Sequence, residues 1–112
     1  MQARLDYLEL PVAEAGASAT FFAAAFGWQF TAFGPTYAAT TTGDVDVGMQ
    51  GDVNEASAAP LPVIRVAALE DALAAVTAAG GTITKPIFAY PGGQRFHFRE
   101  PGGCEIAVYT PG

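Results

Sequence analysis

The sequence predicts an α+β fold of two tandem βαβββ repeats, a curved mixed sheet with a concave cleft and helices on its outer face. Three observations carry that expectation. Residues 5–12 form an alternating strand that leads into an alanine-rich helix ending at Phe26-Gly27-Trp28. Residues 61–66 begin the same pattern again, and the helix that follows stops at Gly80-Gly81. Val12 and Val66 occupy equivalent places, an offset of about 54 residues, in the range where internal repeats are sought first. All 112 residues fit one domain, with repeat one at about 1–50, a linker at 51–60 and repeat two at about 61–112.

Each element follows from local chemistry. Leu8, Leu10 and Val12 alternate with Tyr7, Glu9 and Pro11, the period of a half-buried strand. The apolar side packs under a helix, and the side carrying Tyr7 and Glu9 faces the concavity. The helix over residues 15–26 has Phe21, Phe22, Ala25 and Phe26 at helical spacing, which predicts a core face. Gly27 then serves as a left-handed stop. Residues 28–33 and 37–42 read as a hairpin about Gly34-Pro35, and 45–49 as a short strand.

In the second half, Pro62, Ile64 and Val66 face the helix, and Leu61, Val63 and Arg65 the cavity. The helix over 69–79 places Leu69, Ala72, Leu73 and Val76 on one face, with Glu70 and Asp71 in its first turn, where acids suit the dipole. The last strands are expected at 82–84, 94–99 and 104–110.

Composition excludes several function classes. With net charge −6 and no run of Lys or Arg, the chain lacks the basic surface that nucleic acid or anionic lipid requires. No apolar stretch is long enough to span a bilayer, and the N-terminus has no signal-peptide pattern. A single cysteine, Cys104, excludes an internal disulfide and a thiolate cluster. These features predict a soluble cytoplasmic protein. Hydrophobic residues make up 51% and charged residues 14%, so a monomer would expose apolar patches, and a homodimer is expected.

The order of these elements, with residues 95–103 (Arg-Phe-His-Phe-Arg-Glu-Pro-Gly-Gly) between two strands, resembles the vicinal-oxygen-chelate superfamily. That superfamily includes glyoxalase I, bleomycin-resistance proteins, extradiol dioxygenases and fosfomycin-resistance transferases. The resemblance covers nearly the whole chain. It implies four positions on the concave sheet that would supply His, Gln or Glu ligands to a divalent metal. Carried onto this sequence, those positions are Tyr7, Leu61, Ala107 and, counted from Gly43, Val47. Leu, Ala and Val have no lone pairs to donate, and a divalent metal needs several O or N donors. No metal and no other cofactor is therefore expected. A displaced site built from His97, Glu105 and Glu9 is the alternative.

What remains is a mixed aromatic and polar set. Alternation places Arg95 and His97 on one face, with Phe96 and Phe98 on the other. If Ala107 sits at an inward position, Glu105 and Tyr109 point inward too. The resemblance to fosfomycin-resistance proteins implies that His97 faces the cavity. Tyr7, Glu9, Arg95, His97, Glu105 and Tyr109 are thus the candidate ligand-binding residues, and His97 the candidate catalytic one. His97 reads equally as a core histidine satisfied by Glu105, Arg95 as an ion-pair partner of Glu9 or Glu105, and the tyrosines as sheet aromatics. The first function expected is binding of a small organic molecule, as in the bleomycin-resistance branch. The alternative is a lyase or isomerase of a small carbonyl compound, with His97 as acid/base and Arg95 holding an oxyanion.

Overall fold

The computed structural model describes residues 1–112. It contains eight strands and two helices: β1 (Ala3–Pro11), α1 (Ala15–Phe26), β2 (Thr31–Ala32), β3 (Tyr37–Ala39), β4 (Asp46–Gln50), β5 (Leu61–Val66), α2 (Leu69–Ala78), β6 (Thr82–Tyr90), β7 (Gly93–Arg99) and β8 (Glu105–Pro111). This is the α+β, mixed-sheet complement the sequence predicts. The chain forms two compact units, one of residues 7–61 and one of residues 1–6 with 62–112.

The two units repeat one topology. In the first, the strand order is β2-β3-β4-β1, and in the second it is β6-β7-β8-β5. β1 pairs in parallel with β4, as β5 does with β8, while the remaining neighbours are antiparallel. Antiparallel neighbours follow from tight turns, whereas each parallel pair needs the long crossover that contains the helix.

In the second unit the apolar periodicity works as read. Leu69 and Ala72 of α2 are buried with Val66, Phe96, Phe98 and Val108, and Leu73, Val76 and Ile64 pack against them. Phe96 has no exposed surface. Burying a phenylalanine fully contributes roughly 1.5–3 kcal/mol. The helix ends where Gly80 adopts φ 99°. The Gly81 N–H then donates to the Val76 carbonyl at 2.9 Å and the Gly80 N–H to that of Thr77 at 3.2 Å, so two terminal carbonyls are satisfied.

The first unit departs from expectation at its helix. α1 stops as read, with Gly27 at φ 72° and its N–H on the Ala23 carbonyl. Phe21 and Phe26, however, are 60% and 63% exposed, and Ala15 is the helix residue that is buried. The helix is apolar nearly all round, so spacing alone does not select the face that packs on β3 and β4. Phe22 instead stacks on Trp28, with ring centroids 5.3 Å apart and planes 9° from parallel.

Three strands also have different limits. β2 is two residues rather than six. β3 ends at Ala39 because the following residues turn to Asp46, whose carboxylate accepts from the Thr40 hydroxyl (2.7 Å), the Thr42 N–H and hydroxyl (both 2.8 Å) and the Gly43 N–H (3.1 Å). Partial burial raises the pKa of Asp46, but these donors outweigh it and hold the carboxyl below its ordinary value. β6 runs six residues beyond the expected end at Thr84. Its pairing with β7 shifts register between Lys85 and Phe88, which accommodates Pro86.

Candidate functional site

Strand register places the candidate residues. In the second unit, β7 and β8 pair Arg95 with Tyr109, His97 with Ala107 and Arg99 with Glu105. Paired residues share a sheet face, so Arg95, His97, Glu105 and Tyr109 lie together on the face opposite Phe96 and Phe98. In the first unit, Tyr7 and Glu9 share one face of β1, opposite Leu8 and Leu10.

His97 is buried, 1% exposed. Its Nδ1 lies 3.3 Å from Oε2 of Glu105, an oxygen that also accepts from the Thr84 hydroxyl at 3.0 Å. Nε2 is buried and meets no hydrogen-bond partner within the chain. Burial, the Arg95 guanidinium and, more weakly, Lys85 push the imidazole pKa down to about 4, against the opposing pull of Glu105. At neutral pH the ring is uncharged.

Arg95 is also buried, and its guanidinium carbon lies 5.2 Å from the ring centroid of Phe88 and 4.8 Å from that of Tyr90. Aromatic faces attract a cation at these distances. The Tyr109 hydroxyl donates to the Asp6 carboxylate. Burial, then Asp6, raise its pKa to about 12 although Arg65 opposes them.

In the first unit a relay of hydroxyls reaches Glu9. Tyr37 donates to Glu9 Oε2 at 3.1 Å, and the Tyr7 and Tyr37 hydroxyl oxygens are 2.5 Å apart. Since Tyr37 has one hydrogen and gives it to Glu9, Tyr7 is the donor to Tyr37. Burial, then the Glu9 charge and Tyr7, push the Tyr37 pKa far above that of a free phenol. Both hydroxyls sit over Gly48, where a Cβ would collide with them.

This arrangement corrects one of the implied metal positions. Glu9 pairs with Gly48, as Val63 in the second unit pairs with Ala107. Gly48, not Val47, is therefore the repeat counterpart of Ala107. Val47 pairs with Leu8 and belongs to the opposite face. The count from Gly43 slips by one because the turn held by Asp46 is one residue longer than the turn after Gly103. The metal does not fit these residues: Gly48, Leu61 and Ala107 offer no donor atom, and the space above Gly48 is filled by two phenol hydroxyls. No three His, Cys, Asp or Glu side chains gather in a metal-holding group.

Several partners escaped the sequence reading: Tyr37, Thr84, Phe88, Tyr90 and Asp6. Phe88 is the register partner of Arg95, whereas Tyr37 and Thr84 reach Glu9 and Glu105 across an intervening strand, and Asp6 meets Tyr109 from a strand that does not pair with β8, so only the assembled sheet reveals them. The first unit also has a groove of about 750 Å³ on the face away from Tyr7 and Glu9, walled by Leu8, Leu10, Phe22, Trp28, Val45 and Val47. Gln29, Thr40, Thr41, Thr42 and Asp46 also line it, and the Thr40 and Thr42 hydroxyls are spent on the Asp46 carboxylate that holds the turn.

A family model for the Glyoxalase/Bleomycin resistance protein/Dioxygenase superfamily matches residues 4–108. The chain belongs to this superfamily. Solved structures agree at the level of fold. A superfamily member from Vibrio splendidus 12B01 superposes with TM-score 0.70 at 18% identity, covering 98% of this chain and 99% of that one. A protein described as an NAD-dependent benzaldehyde dehydrogenase from Legionella pneumophila gives 0.78 at 12%, covering 95% and 98%. Methylmalonyl-CoA epimerase from Mycobacterium tuberculosis gives 0.70 at 13%, covering 96% and 87%. No curated protein matches. No helix is long and apolar enough to cross a membrane.

Proposed function

We propose that this superfamily member binds a small organic molecule through the polar sheet face of its second unit, without a divalent metal at the family's usual positions. One observation carries the reading: His97 is buried with Nε2 lacking any partner in the chain. An unpaired buried polar atom costs about 1–3 kcal/mol, so it needs a compensating role. Recognition of a ligand supplies one. Arg95, held between Phe88 and Tyr90, adds a fixed positive charge beside apolar walls, the mixture that orients small ligands. Glu105 and Tyr109 complete that face, and Tyr7 and Glu9 are the binding residues of the first unit.

Binding is favoured over the lyase or isomerase alternative by the state of His97. An imidazole with a pKa of about 4 is not the imidazolium that a general acid needs at neutral pH, and it is a weak base there. A metabolite screen by thermal shift, run on the wild type and on His97→Ala, tests the reading, because a ligand specific for the folded state raises apparent stability. The reading expects hits that the variant loses. Hits retained by the variant, or no hits at all, contradict it.

The protein also acts as a homodimer in this reading. Phe21, Phe26, Trp28 and Val45 are exposed on the first unit, and such patches mark association surfaces. Sedimentation at high micromolar concentration should give twice the chain mass, and a monomer there would refute the dimer.

A further inference from the structure

The orientation of His97 says what kind of group its ligand presents. A carboxylate oxygen accepts hydrogen bonds and donates none. Oε2 of Glu105, already receiving the Thr84 hydroxyl, therefore faces a proton on Nδ1 of His97. In the neutral ring that leaves Nε2 with a bare lone pair. Nothing in the chain donates to it. We infer that Glu105 is a positioning residue that locks His97 in the Nδ1–H tautomer, so that Nε2 accepts a hydrogen bond from an uncharged hydroxyl or N–H of the bound molecule.

The groups around the imidazole narrow the class further. From β6 come Lys85, its register partner, and Phe88, whose ring centroid is 5.9 Å away; from β7 comes Arg95; from β8 come Glu105 and Ala107. Phe88 offers an aromatic wall beside the imidazole, which suits an aryl hydroxyl. The low pKa is consistent with this role, since protonation of Nε2 would turn the acceptor into a donor. Nε2 has no solvent-facing surface, so a donor reaches it as a neighbouring side chain swings aside, a common adjustment on binding.

The inference rests on the binding function above, but its test stands apart. The chain has one histidine, so imidazole-¹⁵N-labelled protein gives one pair of ring-nitrogen signals. At neutral pH the wild type should show a protonated Nδ1 and an unprotonated Nε2. Titration with phenol should move the Nε2 signal, whereas anisole, which has the same ring and no donor, should not. Glu105→Leu should mix the tautomers and weaken phenol binding by about tenfold, the loss of one oriented hydrogen bond. Glu105→Gln, which keeps an acceptor oxygen, should restore the Nδ1–H form.

A protonated Nε2 in the wild type overturns the inference. So does an equal response, or none, to phenol and anisole, or an unchanged tautomer in Glu105→Leu. Should Glu105→Leu fail to fold, the wild-type tautomer and the phenol–anisole pair decide alone. A metabolite that binds while the Nε2 signal stays fixed overturns this inference and spares the binding function. An empty screen overturns the binding function, and the phenol response still decides here.

Discussion

The two units share a strand order yet distribute apolar and polar matter differently. In the second, α2 buries Leu69 and Ala72 against Phe96, Phe98 and Val108, and the opposite sheet face carries Arg95 and His97. In the first, α1 leaves Phe21 and Phe26 exposed, and the polar face holds the Tyr7–Tyr37–Glu9 relay over Gly48. The relay places the hydroxyl hydrogens of both its tyrosines within the chain, whereas the second unit leaves the lone pair of His97 unanswered. One topology thus supports a well-packed unit that keeps a buried imidazole nitrogen unpaired and a unit whose apolar helix leaves two phenylalanines exposed. After duplication, the fold constrains where residues sit on each strand but not which of them perform recognition.

Four experiments probe this contrast, from the largest expected effect downward. Phe96→Ala removes a fully buried ring from the second unit and should cost about 3–5 kcal/mol in urea denaturation. A cost near zero would mean the α2 core is not the stabilising centre. Gly48→Ala forces a methyl group into the space of two hydroxyls and should cost about 1–3 kcal/mol. The same substitution in a Tyr37→Phe background should cost less, since one colliding atom is gone; equal costs would separate Gly48 from the relay.

The third is pH dependence. The folded pKa of His97 lies near 4, below the ordinary 6.5, so between those values the unfolded chain binds more protons. Stability from this group is then fully present above about pH 6.5 and is lost as pH falls towards 4. The urea midpoint should decline across that window, less steeply in His97→Phe. A variant as pH-sensitive as the wild type would place the titration elsewhere. In solution dilute enough for the chain to be monomeric, Phe26→Ala should change stability by no more than about 0.5 kcal/mol, as at an exposed position. A cost of several kcal/mol would mean that Phe26 is buried in solution, and its dependence on protein concentration would show whether a second copy covers it.

Much of the fold was legible because local and periodic signals agreed. Gly27 and Gly80-Gly81 end the helices where spacing says they should, and Leu69, Ala72, Leu73 and Val76 found their core. The first helix was not legible in its packing, because an almost uniformly apolar segment gives no phase. The extension of β6 was hidden by Pro86, which reads as a strand breaker unless a register shift absorbs it. At the candidate site, alternation correctly put Arg95 and His97 opposite Phe96 and Phe98, and Glu105 was rightly weighed as the partner of His97. The one-residue error at Val47 shows how a turn longer by a single residue moves a side chain to the other face. Tyr37 and Phe88 stayed invisible for a different reason: Phe88 meets Arg95 through strand register, and Tyr37 reaches Glu9 across an intervening strand.

The central claim is that recognition depends on the His97 lone pair and not on a chelated metal. Its most direct measurement is calorimetric titration of the best screening hit into wild type and His97→Phe, each with and without EDTA. The account predicts the same affinity in both wild-type titrations and its loss in both titrations of the variant. Binding abolished by EDTA, restored by a divalent metal and undiminished in His97→Phe would contradict it.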